Sequence, residues 1–99
     1  MLSLSRALGA AWLAFIVSAC GRHPTPVECN ALLDRYTEKL VGSDRPEVKG
    51  GELEKVKADA RARAAEDPEF LACPRKVSRW QYECAMQAET VDRMEICLN

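Results

Sequence analysis

Val27-Glu28-Cys29-Asn30-Ala31-Leu32-Leu33-Asp34-Arg35-Tyr36-Thr37-Glu38-Lys39-Leu40-Val41 is the stretch whose reading decides the fold. Cys29, Leu33, Tyr36 and Leu40 recur at helical spacing, and Leu32 widens the stripe. Glu28, Asp34, Arg35, Glu38 and Lys39 fall mostly off it, so the segment is predicted to be an amphipathic helix. One cysteine sits on its inner face. Gly42 follows where a left-handed C-terminal cap is wanted, and a turn-rich segment from Ser43 to Gly51 comes next, with Pro46 and the pair Gly50-Gly51.

Outward toward the C-terminus, a second helix is expected from about Glu52 to Glu66. Glu52 and Glu54 suit its positive end. Lys55 with Asp59, and Asp59 with Arg63, are four residues apart and can pair on its exposed face. Its inner face is thin: Leu53, Val56, Ala60 and Ala64. Asp67-Pro68 reads as an N-cap followed by proline at the first helical position. The short turn it opens carries Phe70, Leu71 and Cys73 and is expected to end at Pro74. Ser78-Arg79-Trp80-Gln81 is a capping-box pattern, opening a third helix to about Ala88 with Trp80, Cys84 and Ala88 on one stripe. Tyr82 falls opposite that stripe, an exposed aromatic of the kind favoured at interfaces. Thr90 caps a last short helix whose Val91, Met94, Cys97 and Leu98 face inward. No segment alternates as a half-buried strand does. The expectation for residues 27–99 is therefore an all-α, disulfide-stapled helical bundle: two longer helices plus a short C-terminal helical hairpin.

The first nineteen residues differ from all of this. Met1 to Arg6 holds one positive charge, and Ala7 to Val17 is apolar or small throughout. That run suits a signal-peptide core and is too short for a bilayer span, which needs about 20 residues. Val17-Ser18-Ala19-Cys20 follows directly and resembles the lipobox of bacterial lipoproteins, with Val17 where leucine is usual. The resemblance implies cleavage before Cys20 by signal peptidase II, diacylglycerol on the Cys20 thiol and acylation of the new amine. Two or three acyl chains give stable anchoring, whereas one is marginal. Val17 and Ala19 also suit an ordinary signal peptidase, but cysteine arithmetic favours lipidation. The chain has five cysteines. With lipid on Cys20, an even four remain: Cys29, Cys73, Cys84 and Cys97. Residues 1–19 thus read as a lipoprotein signal peptide and residues 20–26 as a lipidated cysteine with a flexible tether. The tether's prolines and glycine disfavour helix, and at about 3 Å per residue it would lift the domain about 20 Å. His23 is expected there as a solvated side chain. Gly21 stands where, by the resemblance, an aspartate would retain a lipoprotein at the inner membrane. The expected location is therefore the cell envelope, at the outer membrane.

Formal net charge is −1, which gives no strong attraction to nucleic acid. The four cysteines are separated by 43, 10 and 12 residues, with no close pair of the kind zinc sites use. An exported compartment favours disulfides instead. Helix lengths rank the three pairings. Two antiparallel helices of about 15 residues, each about 22 Å long, bring the chain at Cys73 back to the end where Cys29 began. Cys84 and Cys97 then lie at similar depth on adjacent short helices. Cys29–Cys73 with Cys84–Cys97 is the best match, and Cys29–Cys84 with Cys73–Cys97 is the runner-up. Cys73–Cys84 is poorest, because mostly helical chain holds them beyond the roughly 7 Å limit between α-carbons.

The C-terminal third also resembles the small four-cysteine helical lipoproteins of Gram-negative bacteria, through Cys73, Val77-Ser78, Tyr82-Glu83-Cys84-Ala85-Met86, Thr90 and Cys97. No activity attaches to that group. The expected role is a binding or structural module, joined to membrane lipid through Cys20 and meeting an envelope protein, with no catalytic residues, cofactor or metal. A periplasm-facing enzyme or thiol–disulfide redox protein is the alternative. A small core explains the cysteines without redox work, since such cores rarely supply more than about 3–5 kcal/mol.

Overall fold

The computed structural model describes residues 22–99. The signal-peptide reading of residues 1–19, Cys20 and Gly21 lie outside the described residues. Six helices follow one another: α1 (Pro26–Asp44), α2 (Gly50–Ala64), α3 (Pro68–Leu71), α4 (Cys73–Lys76), α5 (Arg79–Gln87) and α6 (Val91–Leu98). Among the described residues there is no strand. The chain is an all-α bundle stapled by two disulfides, Cys29–Cys73 and Cys84–Cys97. This is the pairing that the helix lengths favour.

Local chemistry starts most of these helices. Thr25 caps α1 through a full capping box: its Oγ1 accepts from Glu28 N–H at 3.1 Å, and Glu28 Oε1 accepts from Thr25 N–H at 2.9 Å. Asp67 accepts from Glu69 N–H at 2.9 Å and starts α3 ahead of Pro68. Ser78 and Gln81 form the expected box at α5, and Thr90 Oγ1 accepts from Arg93 N–H at α6. Pro74 does not end a turn. It occupies the first turn of α4, where its missing N–H costs nothing.

Gly42 is not a cap either. α1 runs through it to Asp44, and Arg45 N–H closes the helix onto Val41 O at 2.7 Å. Val48, buried beside Val41 and Leu53, tucks the Arg45–Lys49 loop under this end. Gly50, expected in the turn, instead opens α2 with φ +59°, a conformation that suits glycine.

The main core joins α1 to the α5–α6 hairpin. Leu32, Ala85, Met94 and Cys97 are buried together, and Tyr36, Tyr82, Met86 and Leu98 pack around them. Ala85 and Met94 are fully buried. The inner face of α1 changes along its length. Cys29, Leu32 and Tyr36 meet the cross-linked half, whereas Thr37 and Val41 are buried further along, and Leu40 is exposed rather than inside. A helix serving two sets of partners cannot keep one straight stripe. Thr37 tolerates burial because its Oγ1 donates to Leu33 O at 2.8 Å. On α5 the expected stripe holds in part: Cys84 and Ala88 pack against the core, but Tyr82 joins them there and Trp80 is exposed. Nine residues offer two possible stripes, and Tyr82 with Ala85 and Met86 fits the space beside Met94. Cys84 reaches Cys97 from the flank.

The salt bridges also depart from expectation. Most of those among the described residues run between helices, and none is an expected pair on the outer face of α2. Arg61 forks onto Asp34, and Lys57 bridges Glu38 on α1 and Glu54 on its own helix. Lys55, Asp59 and Arg63 take no part in the ion pairs of the described residues.

Candidate functional site

The feature built with most hydrogen bonds is the end of the domain where Arg22 enters. Arg22–Thr25, expected as a solvated spacer, is bonded to the start of α5. Arg79 N–H donates to Arg22 O at 2.6 Å. The Arg79 guanidinium forks onto Glu28, with both contacts at 2.8 Å, and also donates to His23 O at 3.4 Å. His23 Nδ1 lies 2.8 Å from Val77 O; a carbonyl only accepts, so Nδ1 carries the proton. Pro24 is buried. His23 is therefore a docking residue, which the sequence reading missed. Thr25-Pro26-Val27-Glu28 held the signal: threonine with glutamate three residues later is a capping box, and it places the helix start one residue before Val27.

Arg79 stands at the centre of this end. It stacks over the Tyr82 ring at 5.3 Å, inside cation–π range. Its hydrogen bonds to Glu28, with the Thr25 N–H next, hold the Glu28 carboxyl at about 2 against a usual 4.5. The same bonds raise Arg79 further above its ordinary value. One turn into α1, Cys29 is joined to Cys73, so α3 and α4 share this end. The C-terminus of α6 arrives there too, with Gln81 Nε2 donating to Leu98 O at 3.4 Å.

Beside these contacts lies an open groove of about 380 Å³, lined by Leu32, Leu33, Tyr36, Phe70, Val77 and Leu98 above the Cys29–Cys73 bridge. Glu69 and Lys76 stand at its rim, 3.7 Å apart. Its walls are apolar, so it can hold hydrocarbon or an apolar side chain but offers no acid–base pair. At its far side Tyr36 donates to Glu95 at 3.0 Å; burial first, then that carboxylate, raises the phenol above its usual value. A more polar depression of about 580 Å³ lies at the opposite end, between Glu38, Lys39 and Ser43 of α1 and Glu89, Thr90 and Asp92. Among the described residues, no three His, Cys, Asp or Glu side chains gather as a metal ion requires. Nor is any helix there long and apolar enough to cross a membrane.

The expected site residues thus divide. Cys29, Cys73, Cys84 and Cys97 are joined as two disulfides, and Cys20 lies outside the described residues. No protein-family model, curated protein or solved structure matches the chain.

Proposed function

We propose that this chain is a small lipid-anchored module of the bacterial cell envelope, with a binding or structural role and no catalysis of its own. Lipid on Cys20 joins it to the outer membrane, and its domain contacts an envelope protein. The observation that carries the reading is the fate of the cysteines. Four of the five are consumed in disulfides, and the fifth is Cys20 of Val17-Ser18-Ala19-Cys20, directly after an apolar run. An exported protein with an odd cysteine needs a use for it, and thioether-linked lipid supplies one. The disulfides support export, because such bonds persist in oxidising compartments.

The test is Cys20→Ser expressed in a Gram-negative host fed labelled fatty acid. The wild-type chain is expected to take up label and to sediment with membranes, and the variant to lose both. Label retained by Cys20→Ser at the wild-type level contradicts the anchor. The redox alternative has its own readout. Structural disulfides should survive a mild glutathione buffer unchanged, whereas a catalytic one should open.

A further inference from the structure

We infer that the end of the domain next to Cys20 lies directly on the lipid surface, with the exposed side chains of Val27, Leu71, Trp80 and Ile96 set into the headgroup region. This rests on the anchoring reading above and sharpens it: the domain is a fixed foot on the membrane and does not swing from a spacer.

The chain's own connectivity sets the distance. Cys20 is two residues before Arg22, a reach of at most about 7 Å between α-carbons. Arg22 is itself bonded to the first residue of α5, and His23 to Val77. The six-residue spacer that would lift the domain is therefore reduced to Gly21. Any lipid on Cys20 must lie close to the surface formed by the starts of α1 and α5.

That end of the domain is also where four of the five exposed large apolar side chains lie. Five large apolar residues are exposed among the described ones: Val27 at 78%, Trp80 at 71%, Ile96 at 71%, Leu71 at 59% and Leu40 at 39%. Val27 is in the first turn of α1, and Trp80 follows Arg79 in the first turn of α5. Leu71 is two residues from Cys73, which is tied to Cys29, and Ile96 is in the last turn of α6, which ends beside Gln81. The least exposed of the five, Leu40, is thirteen residues further along α1, about 20 Å away at 1.5 Å per residue. Single exposed apolar residues are ordinary; four of five at the end nearest the anchor are not a random scatter. Trp80 suits this position best, since an indole pairs an apolar body with an N–H that wants a polar partner and so favours the membrane interface.

Charge at this end is balanced. Arg79 pairs with Glu28 and Lys76 with Glu69, and Arg22 and Arg75 are matched in number by Glu66 and Asp67 nearby in sequence. A strongly anionic surface is therefore not required, and zwitterionic phosphatidylcholine is an adequate surface. The cations and acids can both meet zwitterionic headgroups while the apolar side chains enter between them.

The mature chain that the anchor implies has one tryptophan, Trp80, because Trp12 lies before the cleavage site. The lipidated protein is reconstituted into phosphatidylcholine vesicles, its intact mass first establishing that Cys20 carries lipid. The expected result is a Trp80 emission shifted to shorter wavelength, dimmed by brominated phosphatidylcholine and shielded from aqueous iodide. The double variant Val27→Glu/Leu71→Glu, altered only at exposed positions, should stay lipidated and membrane-bound. Its Trp80 emission should return toward the aqueous position with the lipid quenching lost. Aqueous emission and full iodide quenching in the lipidated wild-type protein overturn the inference while leaving the anchor intact. Shielding from iodide without quenching by brominated lipid means that protein covers this face, a second copy included, and also overturns it. A mass without lipid instead removes the anchor itself, and the docking with it.

Discussion

The two ends of this small bundle are held together by different means. At the cross-linked end, the start of α1 meets α3–α6 through the Cys29–Cys73 disulfide, a fully buried Met94 and the Arg79–Glu28 fork, and Cys84–Cys97 ties α5 to α6. At the other, the second half of α1 meets the start of α2 over Val41 and Val48, with Leu53 and Val56 half-buried, and the Lys57–Glu38 pair fills the remainder. A chain this short cannot build two full cores. Its longer bridge, Cys29–Cys73, ties residues 44 apart in sequence, the shorter one closes the α5–α6 hairpin, and the α1–α2 hairpin is left to thin apolar contact and charge. The cross-linked end is also the one nearest Cys20 in sequence.

The largest loss should come from the crosslinks. The Cys29–Cys73 bridge spans 44 residues and Cys84–Cys97 spans 13. On loop-closure entropy these restrict the unfolded chain by about 4 and about 3 kcal/mol. Cys29→Ala/Cys73→Ala should therefore lower the denaturation midpoint more than Cys84→Ala/Cys97→Ala, as measured by circular dichroism in urea. The reverse order would mean that local packing in the α5–α6 hairpin outweighs chain closure. Next in size is Met94→Ala, which opens a cavity at a fully buried site and should cost about 2–5 kcal/mol. Leu53→Ala on the half-buried face of α2 should cost only about 1 kcal/mol. Equal losses would erase the contrast between the two ends.

Acid should act on the cross-linked end. Glu28 is held at about 2, below its usual 4.5, by Arg79 and the Thr25 N–H. A carboxylate with a depressed value stabilises the fold fully above its unfolded value, and that contribution fades as pH falls from about 4.5 through about 2. The Glu28→Gln variant should lose stability at pH 7 and show a flatter decline across that window, read as Tm against pH. The smallest effect belongs to the α1–α2 ion pairs. Arg61→Ala and Lys57→Ala break pairs at the partly exposed α1–α2 seam, which contribute little and are screened by salt. Their small shifts in Tm should shrink further in 1 M sodium chloride.

Much of the cross-linked end was legible in the sequence. Asp67-Pro68, Ser78 to Gln81 and Thr90 are local signals, and the structure reads each as written. The disulfide pairing followed from helix lengths, because the rise per residue fixes which cysteines share a level. What escaped depends on partners far along the chain. Trp80 and Tyr82 exchange places because α5 has two acceptable faces and only Met94 and α1 choose between them. Leu40 turns outward and Thr37 inward because α1 changes partner midway. The tether docks because Arg79, 57 residues after Arg22, offers its N–H, and no local pattern encodes that. The ion pairs had the same difficulty: spacing along α2 suggested Lys55–Asp59 and Asp59–Arg63, whereas Lys57 and Arg61, facing α1, pair with its Glu38 and Asp34.

The most direct measurement is the intact mass, without reductant, of the protein extracted from membranes of cells expressing the full chain. The account predicts a chain beginning at Cys20, heavier than its unmodified mass by a diacylglyceryl group, with or without a further acyl chain. It also predicts four hydrogens fewer than the fully reduced protein, one pair for each disulfide. A chain beginning at Cys20 with no added lipid, or one that retains residues 1–19, would contradict it.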